Sequence, residues 1–292
     1  MKFRSLYRNS FWLVLTIALA ASSASSAFAQ LNWEGQTGAF VTPFASTSPS
    51  SANGLGRPQL AFHYLNGGSV VGNDFQISIT EGLFKRVEVG YTRAAQTAGT
   101  DSTLAPLFDG GFNIFHGKVN FLSENAGKKK WVPALAAGFV ARTDVRRVGG
   151  VRTAKDTNNG DVYLVGTKVL PVKHVPILIN AGVKGTNASL LGIAGNAPDW
   201  EARGFGALAF ILSGPAKSKV AVGSEVAQQP RQIQNLPGAT LPTTLTYFAR
   251  LIPGSERPFN LDFGVAQAAG KVLPGADVAA RARFAFGVSY RF

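Results

Sequence analysis

The chain has 292 residues, with 29 Lys and Arg against 16 Asp and Glu, a formal charge of +13 and no cysteine. The missing cysteine excludes a disulfide framework and a thiolate metal centre, and the three scattered histidines, His63, His116 and His174, make no ligand cluster. The basic balance points to an anionic partner, and the start of the chain narrows which one.

"MKFRSLYRNS" carries Lys2, Arg4 and Arg8 and runs into "FWLVLTIALAA", an uncharged apolar stretch of about eleven residues, then "SSASSAFA". Ala27-Phe28-Ala29 fits the small-x-small pattern of signal-peptidase sites, so residues 1–29 read as a signal peptide cleaved near Ala29. The apolar run is far shorter than the roughly 20 residues that span a bilayer as a helix. Losing three cations with the leader leaves 26 Lys and Arg against 16 acids. An exported chain rarely meets nucleic acid, so no nucleic-acid partner is expected, and the excess is read as suited to membrane lipid or an anionic solute. No later run is long enough for a transmembrane helix, so any membrane crossing must be made by strands.

Residues 30–56 show no sustained period and are rich in Gly, Ser, Thr and Pro. They are expected to be either a lead-in or a plug folded back into a lumen; "TGAFVTPFA" is too apolar for a free tail and favours the plug.

From residue 57 onward apolar residues recur at every second position, the signature of strands. Twelve segments are predicted, near 57–66, 71–80, 84–93, 112–122, 131–142, 161–170, 176–187, 202–212, 218–227, 243–252, 258–267 and 281–292. Most run ten to twelve residues, matching the roughly 9–11 that a tilted strand needs to cross hydrocarbon. Connections after even-numbered strands are short: "EGL", "SENAGKKK", "PVKHV", "SGPAK" and "PGSER". Those after strands three, five, seven, nine and eleven are long, and only "GGSV" after the first breaks the rule. The expected fold is therefore all-β: a transmembrane antiparallel up-and-down β-barrel over 57–292, of about 12 strands (alternatives 10 or 14), with short periplasmic turns and long external loops. The expected location is the outer membrane of a Gram-negative bacterium. The loop "GGVRTAKDTNNGD", with Arg146, Arg147, Arg152 and Lys155, is either solvated or a contact for lipopolysaccharide phosphates.

The chain ends on "RFAFGVSYRF", alternating to its last residue. A last strand that pairs with the first explains why the end does not fray. Phe286, Val288, Tyr290 and Phe292 resemble the C-terminal signal by which bacterial outer-membrane proteins are recognised, which implies the assembly machinery as a partner.

With the apolar parity facing lipid, the other parity lines the lumen. Its predicted bases are Arg86, Lys118, Arg142, Lys168, Lys184, Arg250, Arg281, Arg283 and Arg291, and its acids Glu88, Glu225 and Asp262. A positive excess in an aqueous pore would make it prefer anions. The same charges could instead pair with lumen acids or the plug and hold the barrel shut. The expected function is thus passage of a small, anionic solute, with a closed structural or polysaccharide-export accessory barrel as the alternative. An outer-membrane lipid hydrolase is the third reading. It would rest on His63 and Ser78, which share the inward parity of adjacent strands but lack any motif for an orienting group or oxyanion site. No enzyme activity, cofactor or metal is expected.

"KVNFLSENAGKKKWVPALAAGF", "YLVGTKVL", "LINAGVKGTNASLLGIAG" and "VGSEVAQQP" resemble, in spacing, the strand-turn-strand units of an uncharacterised family of Gram-negative outer-membrane barrels, a domain of unknown function within the porin-like superfamily. The likeness starts near residue 57 and covers most of the barrel; "RQIQNLPGATLPTTLTYF" departs from it. "GQTGAFVTP" is similar to the start of exopolysaccharide-associated outer-membrane proteins. The resemblance implies fold and location and no activity.

Overall fold

A computed structural model describes residues 30–97, 99–102, 105, 110–145, 157–172, 175–234, 243–254, 258–269 and 282–292. Arg281, His174 and the basic loop residues Arg146, Arg147, Arg152 and Lys155 lie outside them. The strands are β1 (Gln59–Asn66), β2 (Asn73–Leu83), β3 (Val87–Thr97), β4 (Gly110–Leu122), β5 (Ala134–Thr143), β6 (Asn159–Leu170), β7 (Ile177–Ala188), β8 (Asn196–Ser213), β9 (Lys219–Ala227), β10 (Thr243–Ile252), β11 (Phe259–Ala269) and β12 (Arg283–Arg291). Each pairs antiparallel with its sequence neighbours, and β12 returns to β1 to close the barrel. Leu60 lies opposite Tyr290 along that seam, and the Phe292 amide donates to the Pro58 carbonyl at 3.3 Å. Closure removes the open edges that a flat sheet would carry.

The expected strands are all present, with ends displaced by at most four residues except at β8. That strand starts at Asn196, so the predicted long loop 188–201 is in fact the short connection 189–195. The β2–β3 turn falls at Phe84-Lys85-Arg86, where Phe84 and Lys85 take φ of 53° and 59°, rather than at "EGL". The connections after even-numbered strands and both barrel termini share one end, the turn end; the connections after odd-numbered strands share the other, the loop end, where the β1–β2 and β7–β8 links are also short.

The period of two sorts the side chains. Ile77, Val89, Phe115, Phe139, Val162, Leu164, Val183, Phe210 and Phe263 point outward and are exposed. Their neighbours in sequence point inward and are buried, and many of those are polar: Gln76, Glu88, His116, Lys118, Arg142, Asp161, Arg250 and Asp262. The molecule therefore carries its apolar surface outside and its polar groups within. Among the described residues no helix is long and apolar enough to cross a membrane.

The interior is filled by the chain's own start. Residues 30–45 are buried apart from Pro43, which is half-buried. Trp33, Phe40, Val41 and Phe44 join Leu178, Ala207, Ala209 and Phe248 in one apolar cluster. Each such large side chain contributes about 1.5–3 kcal/mol by leaving water. Beyond Ser48 the segment runs along the turn end, where the Gly56 amide donates to the Gly82 carbonyl at 2.8 Å before β1 begins.

Candidate functional site: the occupied lumen

The buried segment is folded on itself before it touches the wall. Asn32 organises its first turn: Oδ1 accepts from the amides of Glu34 and Gln36 at 3.0 and 2.9 Å, and Nδ2 donates to the Val41 carbonyl at 2.9 Å. Such short side chains stabilise turns by mimicking a backbone partner. Backbone bonds from Trp33 to Phe40, Ala39 to Thr42 and Phe44 to Thr37 complete a small knot. Gly35 sits at φ +87°, and a Cβ there would lie 2.4 Å from Thr92 Oγ1, so both backbone and space require glycine.

Four charged anchors then hold the knot. On β3 and β4, Glu88 and Lys118 are directly opposite and pair at 3.1 Å. Glu88 also accepts from the amides of Thr37 and Ser48, at 2.9 and 2.7 Å, and from the Thr37 hydroxyl, while Lys118 Nζ donates to the Thr37 carbonyl at 3.0 Å. On β5, Arg142 bridges the plug to the wall: Nε donates to Glu34 Oε1 at 2.7 Å and Nη2 to Asp161 Oδ2 at 2.9 Å. Lys184 lies 3.4 Å from the same Asp161 oxygen. On β10, Arg250 grips Asp262 through two nitrogens at 2.8 and 3.0 Å and donates to the carbonyls of Gly38 and Ala39. Gln30 Nε2 donates to Asp262 Oδ2 at 2.7 Å. On β9, Glu225 is held by donors of the plug itself, the amides of Val41 and Thr42 and the Thr42 hydroxyl. Polar contacts to the knot thus come from β2 to β7 and from β9 to β11, including Gln36 on Tyr163 Oη and Asn180 on the Pro43 carbonyl.

This arrangement alters the sequence-based picture of a positively lined pore. Among the described residues the buried charged side chains are Lys118, Arg142, Lys184 and Arg250 against Glu34, Asp74, Glu88, Asp161, Glu225 and Asp262. Acids outnumber bases, and each of the four cations is ion-paired. Lys168 does not line the lumen: it shares the outward parity of Val162 and Leu164, and its Nζ bonds Asn125 and pairs with Glu124 at 3.1 Å. Arg86 stands exposed in the β2–β3 turn, donating to the carbonyls of Asn120 and Phe121. Arg283 is half-buried at the loop end, and Arg291 is exposed at the turn end. Phe286, Val288, Tyr290 and Phe292 carry the outward parity of the closing strand, Tyr290 and Phe292 being exposed. Sequence reasoning missed Glu34, Asp74 and Asp161. The first was findable as the one charged residue between Gln30 and Gly56.

His63 and Ser78 both point inward, but the register sets His63 against Gln76 and Ala61 against Ser78. Ser78 Oγ accepts from Thr92 Oγ1 at 2.7 Å, whereas His63 lies among Trp33 and Phe40 with neither ring nitrogen hydrogen-bonded. The geometry gives Ser78 no base. His116 Nε2 is 3.3 Å from Thr80 Oγ1.

A family model described as "Protein of unknown function (DUF3034)" matches residues 29–249, well over half of the chain. The chain belongs to this family. The match takes in the plug segment as well as β1 to most of β10, so it starts earlier than the likeness visible from residue 57. No curated protein matches the chain. Solved structures similar to it include the NanC porin (8% identity, 80% of this chain and 100% of that one, TM-score 0.46). Others are the COG4313 outer membrane channel from Pseudomonas putida F1 (9%, 84% and 97%, 0.49) and the β domain of the Bordetella autotransporter BrkA (14%, 83% and 100%, 0.42). The architecture of this chain rests on its own strand pairing.

Proposed function

We propose that this chain is an outer-membrane barrel, exported with cleavage after Ala29, whose N-terminal segment acts as a plug that keeps the lumen shut, giving it a structural or accessory role. The observation that carries the reading is that, among the described residues, each of the four buried cations is engaged by acids of the wall or plug rather than left free to line a path. The exposed apolar outer face supports the membrane setting, because a soluble monomer rarely exposes such a surface. Outer-membrane lipid is its expected surround, lipopolysaccharide a partner of its loops, and the closing strand the segment read by the assembly machinery.

Passage of a small solute is the second reading. It is favoured by the manner of closure: the plug is held by hydrogen bonds, ion pairs and packing, with no cysteine to lock it, so it could be withdrawn. Planar-bilayer recording tests both. Residues 30–292 are expected to be silent and residues 57–292, if folded, to conduct. Steady conductance from the complete mature chain, with the plug seated by amide exchange, would overturn the closed reading.

A further inference from the structure

At the loop end, above the plug, lies a pocket of about 150 Å³ left open beside the cluster that seats the plug. The plug contributes Trp33 and Phe40, β1 contributes Leu65, and the β7–β8 connection contributes Leu190 and Leu191. Both leucines take left-handed backbone angles, φ 48° and 55°. For residues other than glycine this conformation costs roughly 1–2 kcal/mol each, a strain that folds retain mostly where a local shape is needed. Here it accompanies two apolar side chains in the pocket lining.

The pocket has one charged member, Arg283 at the start of β12. Its guanidinium packs so close to Gly68 that a Cβ there would fall 2.3 Å from Nη1. Among the described residues it has no hydrogen bond or ion pair, unlike Lys118, Arg142, Lys184 and Arg250. An unpaired guanidinium at the rim of an apolar cavity is complementary to one kind of solute, a hydrocarbon body ending in a single anion. The volume sets its size, since an apolar cavity of roughly 150 Å³ accommodates a benzene ring.

We propose that this pocket binds a small hydrophobic monoanion, one carboxylate on a body the size of a single ring or short chain, with Arg283 taking the carboxylate and the leucines and plug aromatics enclosing the body. Binding here needs no movement of the plug and is independent of whether the lumen ever conducts.

The probe is 4-fluorobenzoate, followed by fluorine NMR on residues 30–292 in lipid nanodiscs, with empty nanodiscs as the blank and neutral 4-fluorobenzamide as the comparison. Saturable binding is expected, weakened about tenfold or more by Arg283→Gln or by the amide, as the loss of a charge-assisted bond requires. Leu191→Trp, which fills the cavity, is expected to abolish it, and Arg291→Gln at the opposite end to leave it unchanged. Folding of each variant is checked by heat-modifiable migration on gels. No saturable signal above the blank, or equal binding by wild type, Arg283→Gln and Leu191→Trp, would overturn the proposal.

Discussion

Arg142 shows how much can depend on one side chain in a polar interior. It neutralises Glu34 of the plug and Asp161 of the wall together, and it is fully buried. Arg142→Ala leaves Lys184 as the one cation against two buried carboxylates, and breaking such a pair from one side costs about 3–5 kcal/mol. The loss should fall on the plug first, because the strands keep their ladders. Amide exchange in residues 30–48 is expected to quicken while β3 to β6 stay protected; unchanged protection of the plug would contradict this. The same cluster marks where sequence reasoning slipped. In "DVYLVGTKVL" apolar residues occupy both parities, Val162 and Leu164 outward, Tyr163 and Val165 inward, so the period of two is hidden. Choosing the wrong parity moved Lys168 inside and removed Asp161 from view, the one-residue error to which a strand apolar on both faces is prone.

Among the elements, the plug is the one whose removal changes the charge of the lumen. Without it Glu34 leaves, and among the described residues the buried charged wall residues are five acids, Asp74, Glu88, Asp161, Glu225 and Asp262, facing Lys118, Arg142, Lys184 and Arg250. An opened barrel of residues 57–292 is therefore expected to show a reversal potential without anion preference under a salt gradient. Strong anion selectivity would mean that the end residues such as Arg283 and Arg291 outweigh the interior. That the segment is apolar enough to be inside could be read from "TGAFVTPFA"; which wall residues it meets could not, since Gln30 and Asp262 stand 232 positions apart. The early start of β8 was hidden for a local reason, because "NAPDWE" combines a proline with acidic residues and resembles a loop.

For the whole molecule, closure of β1 on β12 decides whether there is a barrel at all. Phe292 is exposed on the outward face beside that seam, next to Tyr290 with ring centroids 5.0 Å apart. Phe292→Ser is expected to lower the amount of assembled protein in the membrane several-fold; heat-modifiable protein at the wild-type level would argue that the last residue is not read. Strand number, pairing order and the terminal strand were legible because lipid-sized strands and the alternation of connections repeat along the chain, and repetition survives local error. The ion pairs add a constraint that repetition lacks. Glu88 faces Lys118 and Arg250 faces Asp262 as direct cross-strand neighbours. Sliding either strand by one place would turn a charge onto the apolar outer face, and sliding by two would strand opposite charges apart. The buried charges thus act as alignment pins: a misaligned hairpin is penalised as it forms, before the cylinder has closed around it.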